Sequence, residues 1–400
     1  MEYVSTVRHE LSALWAGGKG KALAVIALGW GVLNGTRMIY PVLLPSLSTE
    51  FNLTHTTAGL LVTLIWVGYA IGQFPSGVLA DRYGERQLLT ASVTTVACAL
   101  VVVVLAATPA ALFAATGFVG LGLSLYPVAR ITLLSDLYPD RIGRVLGVTM
   151  ATGDTGQTLL PLSAGVLVVI AWQVGLVFVV PLLVILAVAL QVFLPVNTAT
   201  DNTSDLSIRQ LKRVMGELRQ PTLVRMGVIL LSYIGVLQTF SAFYPTYLIN
   251  SKGFSPTVAS GLFSLFFAVG IVAKPLAGVA YDTVGIRRSL PIVLSGAVIG
   301  FALLPLLDGF WLLTADTVLI STMLGSGAIT QSYLSETIPS EIEGTGLGVI
   351  RSIASMLGAT GPVLFGTIAD RGFFDAGYLL LAVLVGAITL LALRLPKKSG

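Results

Sequence analysis

Six ionisable side chains stand inside long apolar runs of the sequence: Arg37, Arg130, Asp154, Lys274, Asp316 and Arg351. A charge in hydrocarbon is costly, so such residues are functional candidates by default, expected to face one another or a water-filled cavity. Four bases against two acids make that interior net positive, a balance that favours an anion. Arg37 shares a helix face with Asn34 and Pro41 at i, i+3, i+7 spacing, with Trp30 a turn earlier. A guanidinium so placed can grip a carboxylate or phosphate through two parallel hydrogen bonds. Its other reading is a structural arginine, paired with Asp154 or with backbone carbonyls. Lys274 divides the same way, between substrate contact and a salt bridge or packing role between helices.

Asp154, with Gln157 three residues on, is placed either to carry a proton, its affinity set by burial and by a neighbouring cation, or to pair structurally with Arg37 or Arg351. Asp316 is the second acid that could carry a proton, a few residues from the outer end of its run. Gln73 and Tyr69, with Trp66, form a stripe expected to face Lys274, and Gln238 and Ser241 add a polar face level with Asn34 and Arg37. Tyr40, Tyr126, Tyr244 and Tyr247 are further hydroxyls, though aromatics in such runs more often serve packing. Arg130 and Arg351 lie nearer one surface, where long side chains snorkel, and can belong to a gate. Asp136 and Glu336 share that boundary layer.

The elements that position these residues follow from composition. The 400 residues are 55% hydrophobic and only 10% charged, with 23 Lys+Arg and 19 Asp+Glu; a soluble domain carries about 25% charged residues. A mean hydropathy of +0.90 excludes a water-soluble enzyme and a disordered scaffold, leaving an integral membrane protein. The single cysteine, Cys98, permits no internal disulfide, and no metal site or cofactor is expected. His-Glu-x-x-His, Gly-x-Ser-x-Gly and a phosphate loop are all absent, so an enzyme is not expected. Met1 to Gly20 does not read as a cleavable signal peptide.

A helix crossing a bilayer needs about 20 apolar residues. Twelve such spans are read at roughly 21–47, 55–79, 87–107, 110–134, 144–171, 173–195, 223–250, 256–280, 289–307, 310–334, 345–369 and 374–394. The fold class is therefore all-α and membrane-integral, since a β-barrel would alternate polarity in segments of about 10 residues. An N-terminal segment (1–20) precedes a six-helix bundle (21–195), a linker (196–222), a second bundle (223–394) and a tail (395–400). With both termini inside, 17 Lys and Arg residues fall on the cytoplasmic side and only Lys252 and Arg371 outside, as the positive-inside rule requires. The expected location is thus a plasma membrane with cytoplasmic termini, and the basic pI needs no nucleic acid. The linker continues through Ile208-Arg209-Gln210-Leu211-Lys212-Arg213-Val214-Met215, which reads as an amphipathic helix on the lipid surface.

The two halves repeat each other. Gly77-x-x-x-Asp81-x-x-Gly84-x-Arg86 recurs 201 residues later as Gly278-x-x-x-Asp282-x-x-Gly285-x-Arg287, and Ser135-Asp136-x-x-Pro139 recurs as Ser335-Glu336-x-x-Pro339. Gly147, Pro161 and Gly165 recur as Gly348, Pro362 and Gly366, and Gly31 and Tyr40-Pro41 as Gly235 and Tyr244-Pro245. Two related six-helix halves are the mark of an alternating-access transporter with its site between the repeats.

On these residues the chain resembles the major facilitator superfamily. The loop from Gly77 through Asp81, Arg82 and Gly84 to Arg86 is similar to that family's signature between spans 2 and 3. The resemblance implies two pseudo-symmetric six-helix bundles, with spans 1, 2, 4, 5, 7, 8, 10 and 11 around a cavity. Lys274-Pro275-x-x-Gly278 resembles a span-8 stretch of the family's anion carriers, with lysine in place of arginine. The sequence departs from the family at Glu85, at Thr116, where an arginine is common, and at Leu160-Pro161, which weakens a drug/proton antiporter reading. A gating latch is expected of Gly77, Asp81, Arg82, Gly84, Arg86, Gly278, Asp282, Gly285 and Arg287, holding two helix ends together in one state and releasing them in another.

The function expected is secondary transport of a small organic anion, a carboxylate or phosphate ester, by proton symport or anion exchange, in a monomer within the lipid bilayer. The alternatives are a multidrug/proton antiporter and, from another class, a non-transporting receptor or lipid flippase on the same fold.

Overall fold

A computed structural model describes residues 19–195, 216–217, 219–339 and 342–395. The linker's amphipathic segment at 208–215 and the tail at 396–400 lie outside the described residues. Among those described the chain is helical throughout, without strands. Eleven helices are long and apolar enough to cross a membrane. They are α1 (Lys19–Phe51), α2 (His55–Tyr83), α3 (Glu85–Val104), α4 (Pro109–Leu137), α6 (Val174–Phe193), α7 (Pro221–Asn250), α8 (Pro256–Val284), α9 (Ile286–Leu303), α10 (Phe310–Thr337), α11 (Thr345–Ala369) and α12 (Phe374–Ala392). The remaining span of the twelve is α5 (Ile142–Leu167), 26 residues and long enough to cross. It is less apolar because it carries Asp154, Gln157 and threonines at 149, 152, 155 and 158.

The helix ends explain themselves locally. Thr54, Thr108 and Ser255 each accept from a backbone N–H of the first turn of α2, α4 and α8, satisfying donors that the helix cannot. Gly84 and Gly285, repeat mates, close α2 and α8 with φ of 83° and 73°, a region that disfavours side chains. The structure departs from uninterrupted spans in the middle of α10, where Thr322–Gly325 tightens into a 3-10 turn.

The two halves are built alike. In the first, α1 packs on α5, α2 on α4 and α3 on α6; in the second, α7 packs on α11, α8 on α10 and α9 on α12. Substantial contact between the halves comes from α1, α2, α5, α7, α8 and α11. Helices α3, α6, α9 and α12 stand at the periphery and expose Val102, Val184, Val188, Ile292, Ile299, Val383 and Leu390, side chains suited to lipid. The α1–α5 crossing is close because it is lined with glycine. A methyl group on Gly156 would collide with the Gly31 carbonyl, one on Gly35 with the Gly156 carbonyl, and one on Gly31 would lie 2.7 Å from the Thr152 carbonyl oxygen. Small residues let membrane helices approach and gain dispersion energy where no hydrophobic driving force exists.

The end of the molecule holding Lys19, Arg86, Arg141 and Arg287 is the basic end. At the opposite, far end the halves are sealed. The Asp370 carboxylate, just past α11, accepts from the backbone N–H groups of His55 (2.6 Å) and Thr56 (2.9 Å) and from the Thr56 hydroxyl (2.6 Å) at the start of α2. Thr63 donates to the Ala359 carbonyl oxygen at 2.6 Å, and Thr257 on α8 donates to the Gly165 carbonyl oxygen on α5 at 3.1 Å. Toward the basic end the glycines of the same helices, Gly77, Gly143, Gly147, Gly278 and Gly348, have open space where a side chain would stand. The halves therefore meet at the far end and part toward the basic end.

Candidate functional site

Arg37 projects from the middle of α1, about 27 Å along the helix from Lys19 at 1.5 Å per residue. The tight α1–α5 crossing uses the Gly31–Gly35 face of α1, and the Asn34–Arg37 face turns instead to Trp66 and Tyr69 of α2. One terminal nitrogen of Arg37, Nη2, donates to Asn34 Oδ1 at 3.0 Å, and Asn34 is itself fixed by donating to the Trp30 carbonyl oxygen at 2.8 Å. The guanidinium lies 4.2 Å from the Trp66 ring centre and 5.6 Å from that of Tyr69. Such stacking contributes about 2 kcal/mol when desolvated and holds the plane while its edge stays available. Nε of Arg37 is buried with no hydrogen-bond partner among the described residues. Trp66 and Tyr69 thus stand against Arg37, where the sequence pattern had them facing Lys274.

Arg130 repeats this construction on α4. Its Nη1 donates to the Thr149 hydroxyl of α5 at 2.9 Å, its guanidinium lies 3.9 Å from the Trp30 ring centre, and its Nε is buried and unpartnered. The residue is 3% exposed. Trp30 stacks in turn on Tyr126, whose hydroxyl donates to the Ile26 carbonyl oxygen at 2.9 Å. Tyr69 lies within electrostatic range of both arginines.

Asp154 pairs across the halves. Lys274 Nζ on α8 lies 2.6 Å from Asp154 Oδ1, and Gln157 Nε2 donates to the same oxygen at 3.2 Å. The structural partner of Asp154 is therefore Lys274, and neither Arg37 nor Arg351, because α5 and α8 lie side by side along the interface. Arg351 on α11 donates instead to Gln331 Oε1 of α10 and is exposed. Tyr233 on α7 is buried within electrostatic range of both Arg351 and Asp154. Sequence reasoning had no reason to choose Tyr233 or Thr149, since ordinary aromatic and hydroxyl residues recur throughout these helices.

The remaining candidates divide by place. Gln238 is buried and donates to the Ser355 carbonyl oxygen at 3.5 Å, with its Oε1 unpartnered; Ser241 is buried beside it on α7. Gln73 is half-buried on α2. Asp316 is 1% exposed near the far end of α10, with neither oxygen partnered among the described residues, Arg37 and Lys274 included. Tyr40, Tyr244 and Tyr247 are fully buried in the packing, Tyr244 sharing a hydrogen bond with Thr317 and Tyr247 donating to Asp375 at 2.6 Å.

At the basic end, Asp81, Arg82, Asp136 and Asp282 are exposed. Among the described residues Asp81 forms no ion pair with Arg82 or Arg86. Arg86 Nε donates to Gln191 Oε1 at 3.0 Å, and its repeat mate Arg287 donates to the Leu393 carbonyl oxygen at 2.9 Å. Glu336 accepts from the Tyr281 hydroxyl at 2.8 Å. The expected Asp81 cluster is thus apart in a structure whose basic end is open. No group of His, Cys, Asp and Glu among the described residues could hold a metal ion.

A model of the Major Facilitator Superfamily matches residues 23–358 and 228–399. The chain belongs to the major facilitator superfamily. It is 26% identical over 397 residues to a hexuronate transporter of Bacillus subtilis, covering 91% of this chain and 92% of the relative. It is 24% identical over 363 residues to a cis,cis-muconate transport protein of Acinetobacter baylyi, covering 86% of each. A bacterial homolog of the human lysosomal transporter Spinster, in an inward-facing, occupied conformation, superposes with a TM-score of 0.79 at 17% identity, over 94% of this chain and 97% of that one. The nucleoside transporter NupG superposes with a TM-score of 0.80 at 14% identity, over 94% and 100%. These likenesses make the chain a multi-pass membrane transporter of the superfamily's twelve-helix fold, and not an enzyme.

Proposed function

We propose that this transporter moves a small organic anion by alternating access, with the Arg37 guanidinium as its principal anchor. One observation carries the reading: Arg37 is held by Asn34 along one edge and by Trp66 across its face, yet keeps a buried Nε without a partner. A donor left in that condition costs roughly 1–3 kcal/mol, more when charged, and an acceptor on the substrate recovers it. Relatives named for hexuronate and cis,cis-muconate transport are consistent with an acidic substrate.

Coupling follows from Lys274 and Asp154. An anion entering the cavity competes with Asp154 for the ammonium, and a carboxylate released from its cation gains proton affinity. The proton taken up by Asp154 then travels with the anion, which is proton symport. Asn34 orients Arg37, while Gln73, Gln238, Ser241 and Tyr69 supply hydrogen bonds. The loops around Asp81 and Asp282 act as the gate at the basic end, which the positive-inside rule makes cytoplasmic in a plasma membrane. A multidrug/proton antiporter is disfavoured by the excess of buried bases over acids.

The test is counterflow in liposomes holding the purified chain, against a panel of organic anions, sugars and cationic drugs. Exchange confined to anions, abolished by Arg37→Ala without loss of folding, is the expected result. Unchanged transport in that variant would remove the anchor.

A further inference from the structure

The charge balance of the cavity reaches further than the choice of an anion, given the anion reading above. Of the four bases inside the spans, Lys274 is neutralised by Asp154 at 2.6 Å and Arg351 is exposed and bonded to Gln331. Arg37 and Arg130 are left. Neither is within salt-bridge distance of a carboxylate among the described residues, and both have a buried, unpartnered Nε. Their construction is the same: one terminal nitrogen fixed by a neighbouring side chain, the face covered by an indole, the rest of the edge unclaimed. Two uncompensated cations in one low-dielectric wall are expensive, and the effective penalty is several kcal/mol for each.

Both arginines belong to the first half. Arg130 lies against Trp30, and Trp30 precedes Arg37 by seven residues on α1, a rise of about 10 Å. The Tyr69 ring lies 5.6 Å from the Arg37 guanidinium on the same side of the cavity. A single carboxylate or phosphoryl group reaches only one guanidinium at this spacing. We propose that the substrate is a dianion, an α,ω-dicarboxylate of about adipate length, lying along the α1–α4 wall with one carboxylate on Arg37 and the other on Arg130. Arg130 is then a specificity-determining residue: it selects the second carboxylate and requires a chain long enough to reach it.

The experiment compares adipate, succinate and the monocarboxylate hexanoate in counterflow with the purified full chain in liposomes, and in thermal stabilisation of the same protein in detergent. Adipate should exchange at least tenfold faster than hexanoate or succinate and raise the Tm where hexanoate does not. Arg130→Gln should cut adipate exchange at least tenfold and bring the adipate-to-hexanoate exchange ratio down to near one. Hexanoate carried as well as adipate by the wild type, or both falling equally in Arg130→Gln, would overturn the dianion assignment and leave an anion transporter. Exchange of none of the three, with a cation or sugar carried instead, would overturn the anion reading itself. Should Arg130→Gln not fold, the wild-type exchange ratios and Tm shifts decide the matter alone.

Discussion

The ammonium of Lys274 on α8 lies 2.6 Å from the carboxylate of Asp154 on α5, an ion pair that crosses between the two six-helix halves. It stands about 18 Å from the start of α5 at 1.5 Å per residue, between the sealed far end and the parted basic end. Its side chains are one-third and one-sixth exposed, so water and substrate can reach it. A contact of this kind both joins the halves and reports on what occupies the space between them.

If the pair couples protons, Asp154→Asn should keep counterflow and lose accumulation driven by a pH gradient. Measuring both in the same liposomes separates coupling from structure, since equal loss of the two would assign Asp154 a packing role. Lys274→Ala should be worse for stability than the double variant Lys274→Ala with Asp154→Ala. Breaking the pair strands one charge, at a cost that partial exposure reduces, whereas removing both strands none. Thermal unfolding of the three proteins in one detergent checks the order.

The far-end seal carries its own pH dependence. Burial raises the proton affinity of Asp370, but the hydrogen bonds from the Thr56 hydroxyl and from the Thr56 and His55 backbones outweigh it and hold the carboxyl below its ordinary value. A carboxylate depressed in one state stabilises that state above its ordinary pKa and ceases to do so as pH falls through the depressed value. Acidification should therefore loosen the far end, and Asp370→Asn should do so at every pH. Reactivity of a cysteine placed at Ser46 toward an impermeant thiol reagent, in a Cys98→Ser background, should rise in both conditions. Reactivity independent of pH and of Asp370 would show that the seal rests on packing alone.

Gly156→Leu should abolish folding. Even one carbon there collides with the Gly31 carbonyl, and backbone cannot yield as a flexible side chain can. Gly143→Leu on the same helix meets open space and should fold normally, changing transport only if the basic end must close around it. Yield and thermal stability of the two variants give the contrast.

Asp81 is exposed and forms no ion pair with a described residue here, as a latch would be in its released state. Asp81→Asn should slow the transport cycle several-fold while leaving substrate affinity unchanged. A large change in affinity would move Asp81 out of the gate and into the binding region.

Much of this molecule was legible in its sequence because lipid imposes a simple rule. Backbone polar groups must be satisfied within the chain segment that crosses the bilayer, so apolar length translates into helix. The spans, the repeat around Gly77 and Gly278, and the six ionisable residues within the spans could all be read from residue order. The span of lowest apolarity, α5, was also the one whose Asp154 and Gln157 face the second half. Pairing was another matter. Asp154 found Lys274 and not an arginine because α5 and α8 lie side by side, and Trp66 and Tyr69 turned to Arg37 because a helix places its side chains by rotation about its axis. Periodicity gives the relative angles of residues on one helix but not the angle at which that helix meets its neighbours. The glycine contacts of Gly31, Gly35 and Gly156 set that angle for α1 and α5, and with it which side chains of the two helices turn away from each other.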